Sequence, residues 1–144
     1  YLWQLHKEGR LQLDFSPLHA VLGYHLPCRL KALCNESPGE NLLRLIPGLI
    51  VRRLPSGCSG MAGTFGLKAS CYRLSLRAGW PLIVQLRNPD LQAGTTECTA
   101  CKIQMEQAAK KPTVHPIKIL AHAYGLLPRG TELFAPAKHP LVTT

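Results

Sequence analysis

The residues of this 144-residue chain best suited to chemistry are its cysteines. Cys98 and Cys101 form a Cys-x-x-Cys pair, and Cys58 lies in a glycine-rich stretch between residues 56 and 63. Thiolate sulfur binds zinc and iron–sulfur clusters, and a pair of thiols can also exchange with a disulfide. The cysteines therefore indicate metal binding or redox chemistry.

The composition favours one globular domain in a reducing compartment. Hydrophobic residues make up 46% of the chain, and its six cysteines are too few and too unevenly placed for a disulfide-stapled mini-domain. We therefore expect a cytoplasmic location. The first residues lack the apolar run of a signal peptide, and the nearly apolar stretch 45–51 contains Pro47 and is too short to cross a bilayer.

The chain is strongly basic, with 17 Lys and Arg against 8 Asp and Glu. These basic residues are spread along the sequence, and no aromatic residues alternate with them as a base-stacking surface requires. We therefore expect no nucleic-acid partner. The positive charge is typical of a solvated surface or of a face for an acidic partner domain.

Apolar runs that end in turn residues alternate with stretches of helical periodicity, which predicts an α/β fold with a small parallel sheet flanked by helices. The expected strands cover residues 20–24, 49–54, 93–97 and 113–114. In such a sheet the loops after the strands gather at one edge. Because Cys28, Cys58 and the Cys98/Cys101 pair each follow a strand, we expect them to converge.

Local signals set the expected helix limits. Ser37, followed by Pro38 and Glu40, has the pattern of a capping box that opens a helix over residues 42–46. Thr64 is expected to cap the next helix, and Gly79 to end it before a separate short helix over 81–86. The glycines at 57, 60 and 63 suit a loop that needs positive φ angles.

A family resemblance rests on four stretches. They are Tyr24-His25-Leu26-Pro27-Cys28, residues 57–66 (GCSGMAGTFG), residues 97–107 (ECTACKIQMEQ) and His115-Pro116. In order and context they resemble the cysteine-rich CCG domain, in the version at the carboxyl end of FAD-linked, iron–sulfur-containing dehydrogenases of the D-lactate, glycolate and D-2-hydroxyglutarate type. Related domains occur in the anaerobic glycerol-3-phosphate dehydrogenase C subunit and the heterodisulfide reductase B subunit.

The resemblance covers residues 18–128. It implies a lead-in from a preceding domain at residues 1–17 and a loose tail at residues 129–144. It also implies a 4Fe-4S type cluster, with Cys28, Cys58, Cys98 and Cys101 at the matching ligand positions. The parent protein would then contain flavin and ferredoxin-like domains, with FAD bound outside this domain.

By the same resemblance, the domain transfers electrons in an oxidoreductase that acts on a 2-hydroxy acid. Alone it is not expected to turn over substrate, because it has neither a dinucleotide fingerprint nor an acid–base pair. No transmembrane segment is expected. The parent's electron acceptor could still bring it to a membrane surface.

Residue 59 departs from the family pattern, which usually has a second cysteine there. A serine hydroxyl is a hard, poorly ionised ligand beside thiolates, so zinc in a structural or binding module is the alternative cofactor. Ser59, Gly60, His25 and His115 are the further candidates, as altered ligand or as donors to the ligand sulfurs. His115 is better suited to starting its helix than to ligation, and His25 is at least as well suited to a hydrogen bond with a loop carbonyl.

Two rivals use the same residues differently. A thiol–disulfide enzyme would use Cys98 and Cys101 without metal, and a zinc-stabilised basic module would bind nucleic acid. Cys71 lies on the apolar stripe of its predicted helix and is expected to be in the core. Cys34 matches no motif position and is expected to be structural.

Overall fold

The structure is a computed structural model that describes residues 1–33, 36–55, 57–127 and 132–135. Cys34 and most of the expected tail at 129–144 lie outside the described residues. The division into lead-in, domain and tail stays a prediction.

The described chain alternates between strands and helices. The strands are β1 (Ala20–Tyr24), β2 (Leu49–Arg53), β3 (Ala93–Thr95) and β4 (Thr113–Val114). The helices are α1 (Leu2–Lys7), α2 (Cys28–Leu33), α3 (Pro38–Leu43), α4 (Ala69–Leu86), α5 (Thr99–Ala109) and α6 (Pro116–Ala123), with a 3₁₀ turn at Phe65–Leu67. All four strands lie where the sequence predicts them.

The four strands form one parallel sheet in the order β2-β1-β3-β4. This confirms the predicted α/β class with a small parallel sheet. The chain moves from β1 outward to β2 and then returns to the other side of β1 for β3. The loops after β1 and β3 therefore leave the sheet in opposite directions, and this reversal opens the crevice in which such folds place ligands.

Two apolar clusters cover the two faces of the sheet. One joins Leu22 and Tyr24 of β1 to α3 and α6, and the other joins Leu82, Leu86 and Met105 of α4 and α5. The central strand β1 is almost entirely buried, which agrees with its nearly continuous apolar run, whereas the edge strand β2 leaves Ile50, Arg52 and Arg53 exposed. The core therefore fixes every strand end from which a cysteine-bearing loop departs.

Glycines allow the second cluster to lie close to the sheet. Gly23 and Gly94 are paired in register on β1 and β3. A Cβ at Gly94 would lie 2.7 Å from Met105 Cε, and one at Gly23 would lie 2.9 Å from Leu91 Cδ1. The missing side chains bring α5 down onto the strands, so its first turn starts at the sheet edge.

The prediction that Gly79 ends a helix is wrong, because α4 runs continuously from Ala69 to Leu86 and includes Pro81. Its buried face contains Ser75, Gly79, Leu82, Ile83 and Leu86. Gly79 instead permits close packing of the helix against the Ser59 backbone. No helix among the described residues is both long enough and apolar enough to cross a membrane.

The capping-box prediction at α3 is confirmed for the helix start and wrong for the helix extent and the cap hydrogen bonds. Ser37 is the N-cap and Pro38 the first helical residue, but the helix covers Pro38–Leu43 and not 42–46. Ser37 precedes the helix but makes no side-chain cap, and its hydroxyl accepts a hydrogen bond from Arg53. The buried Glu40 carboxylate pairs with Arg44 at 2.8 Å and Arg53 at 2.9 Å. A buried carboxylate needs charged partners, and these two arginines outcompete the backbone N–H of the cap.

Leu22→Ala should lower the free energy of unfolding by about 2–5 kcal/mol, because Leu22 is fully buried at the centre of the sheet. Ile50→Ala on the neighbouring strand is the matched control, since Ile50 is 53% exposed and should change stability by under about 1 kcal/mol. Urea unfolding followed by circular dichroism measures both. Equal effects would contradict the assigned strand register.

Candidate metal centre

All four predicted cysteine ligands line one pocket at the carboxyl edge of the sheet. Cys28, Cys58, Cys98 and Cys101 border a cavity of about 710 Å³. They come from three loops up to 73 residues apart in sequence. The structure therefore places all four thiols around one pocket, at the edge where the strand order predicts them.

Three of the four thiols lie at the starts of helices. Cys28 is the first residue of α2 and follows β1 by four positions. Cys98 is the N-cap of α5, and Cys101 lies in that helix's first turn. The positive end of the α5 dipole favours negative charge on these two sulfurs.

The thiols are graded from solvent to interior. Cys28 and Cys58 are exposed, Cys98 is half-buried and Cys101 is buried. Among the described residues, no three His, Cys, Asp or Glu side chains lie close enough together to hold a single metal ion.

Direct backbone contact with α4 fixes the loop that carries Cys58. A Cβ at Gly79 would lie 2.1 Å from the Ser59 carbonyl oxygen, and one at Gly60 would lie 2.0 Å from the Ser75 carbonyl oxygen. Real Cβ atoms do not approach oxygen so closely. Glycine is therefore required on both sides of this contact, in the loop and in the middle of the helix.

The loop's backbone conformation confirms part of the glycine prediction. Gly60 and Gly63 have φ angles of 88° and 70°, and Ala62 has a φ of 44°. Gly57 is not among the described residues with positive φ, and a Cβ there would meet nothing within 4 Å. The prediction is wrong for Gly57, which has neither constraint.

Two hydrogen bonds reach the sulfurs from this loop. The Gly60 backbone N–H donates to Cys58 Sγ at 3.3 Å, and the buried Ser59 hydroxyl donates to Cys101 Sγ at 3.1 Å. Burial raises the pKa of the Cys101 thiol to about 12, the Ser59 hydrogen bond opposes this rise, and nearby Cys98 and Cys58 add to it. Cys101 is thus neutral without a cation, and metal binding must displace its proton.

Glu97 is a pocket residue that the sequence patterns did not reveal. It lines the cavity, and its Oε1 accepts a hydrogen bond from the buried Tyr24 hydroxyl at 2.8 Å. Its Oε2 is buried with no hydrogen-bond partner among the described residues, and burial raises the pKa of the carboxyl. Only the tertiary fold reveals this pair. Tyr24 ends β1 and Glu97 lies in the loop after β3, so the two residues meet only because β1 and β3 are neighbours in the sheet.

The two histidine candidates take different positions. His25 is buried, with its pKa lowered to about 4 by burial, so its imidazole is neutral. His115 is the N-cap of α6, and its Nδ1 accepts the Ile117 backbone N–H at 3.1 Å. His115 therefore starts its helix, and neither histidine is among the described residues lining the pocket.

Cys71 is not among the described residues that line the pocket. It is half-buried on α4, and its sulfur lies 3.7 Å from the Ser70 hydroxyl. Met61 and Met105 are both buried and pack in the interior. Cys71 thus offers an internal comparison for the four pocket thiols.

Comparison with known proteins shows a similarity over most of the chain. The chain is 37% identical over 123 residues to the C subunit of the anaerobic glycerol-3-phosphate dehydrogenase of Escherichia coli (strain K12). It is similar to a dehydrogenase subunit. The same identity holds for the corresponding protein of Escherichia coli O157:H7. No family model matches the sequence.

The aligned region covers 85% of this chain but 31% of each relative. The chain therefore spans about a third of the length of the curated relatives it matches. This similarity supports the coarser part of the resemblance, a part of an oxidoreductase. The CCG assignment and the 2-hydroxy-acid substrate stay predictions.

Gly79→Ala tests the contact between loop and helix. Helix propensity alone would make alanine more stable by about 1 kcal/mol. The collision with the Ser59 carbonyl should instead lower the free energy of unfolding by about 1–3 kcal/mol and speed alkylation of Cys58. Denaturant unfolding and timed alkylation with mass spectrometry measure the two effects.

Gly57→Ala is the control, because a methyl group at Gly57 meets nothing within 4 Å. It should leave both quantities nearly unchanged. A more stable Gly79→Ala protein would show that the helix and loop are not in contact.

Proposed function

We propose that this chain binds an iron–sulfur cluster of the 4Fe-4S type through Cys28, Cys58, Cys98 and Cys101, and transfers electrons within a larger dehydrogenase. The observation that carries the proposal is the convergence of these four thiols on one pocket at the strand-order reversal. When bound, such a cluster accepts and releases one electron at a time.

The donor chemistry of the pocket fits this cofactor. Cysteine thiolates are the usual ligands of iron–sulfur clusters, and hydrogen bonds to their sulfurs adjust the reduction potential. Here Gly60 and Ser59 supply one such bond each. Cys98 is half-buried and Cys101 is buried, so the inner side of the pocket is less exposed to solvent than the side that Cys28 and Cys58 border.

Similarity to part of a glycerol-3-phosphate dehydrogenase narrows the class of reaction. Glycerol 3-phosphate and 2-hydroxy acids both present an alcohol carbon, whose oxidation to a carbonyl releases two electrons and two protons. We propose that a flavin domain of the parent protein takes these electrons from a 2-hydroxy acid. This chain, together with ferredoxin-like domains, would then conduct them onward singly.

Cys58→Ser and Cys98→Ser should each lose most of the bound iron and acid-labile sulfide. Cys71→Ser should retain both, because Cys71 lies outside the pocket lining. The measurement is iron, zinc and sulfide analysis with absorption spectra on protein purified without oxygen. Circular dichroism of each variant separates loss of cofactor from loss of fold.

The result has distinct alternatives. Zinc without sulfide in the wild-type protein would replace electron transfer by a structural zinc site. Equal iron in all three variants, or no metal in wild type, would disprove the proposed ligand set.

The substrate proposal has its own test. In the full-length parent protein, D-lactate or glycolate should bleach the visible absorption of the oxidised cluster under anaerobic conditions, and glycerol 3-phosphate should not. The Cys98→Ser parent protein is the control, since its flavin should still be reduced. Bleaching by glycerol 3-phosphate alone would reassign the substrate and leave the electron-transfer role intact.

A further inference from the structure

Ser59 is placed to act on the cysteine site without serving as a ligand. Its side chain is 1% exposed, and its hydroxyl donates to Cys101 Sγ at 3.1 Å. The donated proton therefore points at the most buried of the four pocket thiols. A hydroxyl committed to donation in this way is a poor candidate for metal ligation.

The backbone holds this donor in place. The carbonyl of Ser59 lies against Gly79 on α4, and the next residue, Gly60, lies against the carbonyl of Ser75. The loop cannot withdraw from Cys101 without opening these contacts. The fold thus preorganises the hydrogen bond, because the backbone that carries the Ser59 side chain is held against α4.

We propose that Ser59 is a positioning residue that raises the reduction potential of a cluster bound at this pocket. Reduction adds negative charge, part of which resides on the ligand sulfurs. An O–H donor stabilises the reduced form more than the oxidised form, and burial strengthens the effect because little water competes. This inference rests on the proposed function.

The same geometry accounts for the departure from the family pattern. A second cysteine at position 59 would place another ionisable sulfur beside Cys58 and Cys101. Serine places a neutral donor there instead. The substitution therefore exchanges a source of negative charge for a group that stabilises it.

The test is a potentiometric titration of the anaerobically purified chain, wild type against Ser59→Ala. We expect Ser59→Ala to retain iron and sulfide and to make reduction about tenfold less favourable, which for one electron is a shift of about 59 mV to lower potential. Ser70→Ala is the matched control, because it removes a hydroxyl near the sulfur of Cys71, outside the pocket. Its potential should equal that of wild type.

A second readout reports the hydrogen bond itself. Transfer of wild-type protein to deuterated water should shift the iron–cysteine stretching bands in resonance Raman spectra, and Ser59→Ala should lose part of that shift. An intact cluster with unchanged potential in Ser59→Ala would overturn the tuning role. Loss of the cluster from Ser59→Ala alone, with native circular dichroism, would also overturn it and make Ser59 a ligand.

A failure of the underlying function is recognised separately. If wild-type protein contained no iron or sulfide, the proposed cluster would be disproved, and the inference about Ser59 would be disproved with it. A cluster that is present in wild type and Ser70→Ala leaves the Ser59 comparison decisive.

Discussion

The site depends on one close backbone approach, that of the Ser59 carbonyl to Gly79 in the middle of α4. This contact, with its counterpart between Gly60 and Ser75, leaves no space for a side chain on either partner. It sets the height of the Cys58 loop above the sheet. It also directs the Ser59 hydroxyl toward Cys101 on α5. A steric requirement of the backbone thus determines the environment of the Cys101 sulfur.

The rest of the fold supplies the frame for that contact. The apolar residues on one face of the sheet pack α4 and α5 against each other, and Leu82, Leu86 and Met105 are fully buried among them. The opposite face is closed by α3 and α6. Because both faces are covered, the sheet's carboxyl edge remains as the place where chemistry-bearing loops can gather.

Much of this arrangement could be predicted from the sequence. The central strand β1 is buried on both faces and is a nearly continuous apolar run, so its position can be predicted, and the convergence of cysteines follows from the rule for parallel sheets. The role of Gly79 was not predictable because helix propensity depends only on the local chain. Gly79 makes room for the carbonyl of Ser59, which lies 20 residues earlier in the sequence. Glu40 was misread for a related reason, since its arginine partner Arg53 arrives from another element. The Tyr24–Glu97 pair was missed because no local pattern joins two residues 73 positions apart.

The gradient of exposure across the four cysteines gives the cavity an outer and an inner side. Exposed Cys28 and Cys58 border it on the outside, and buried Cys101 lies within. A cofactor that enters the proposed site from solvent would therefore meet Cys28 and Cys58 first and Cys101 last, so the order of ligation would follow the order of burial.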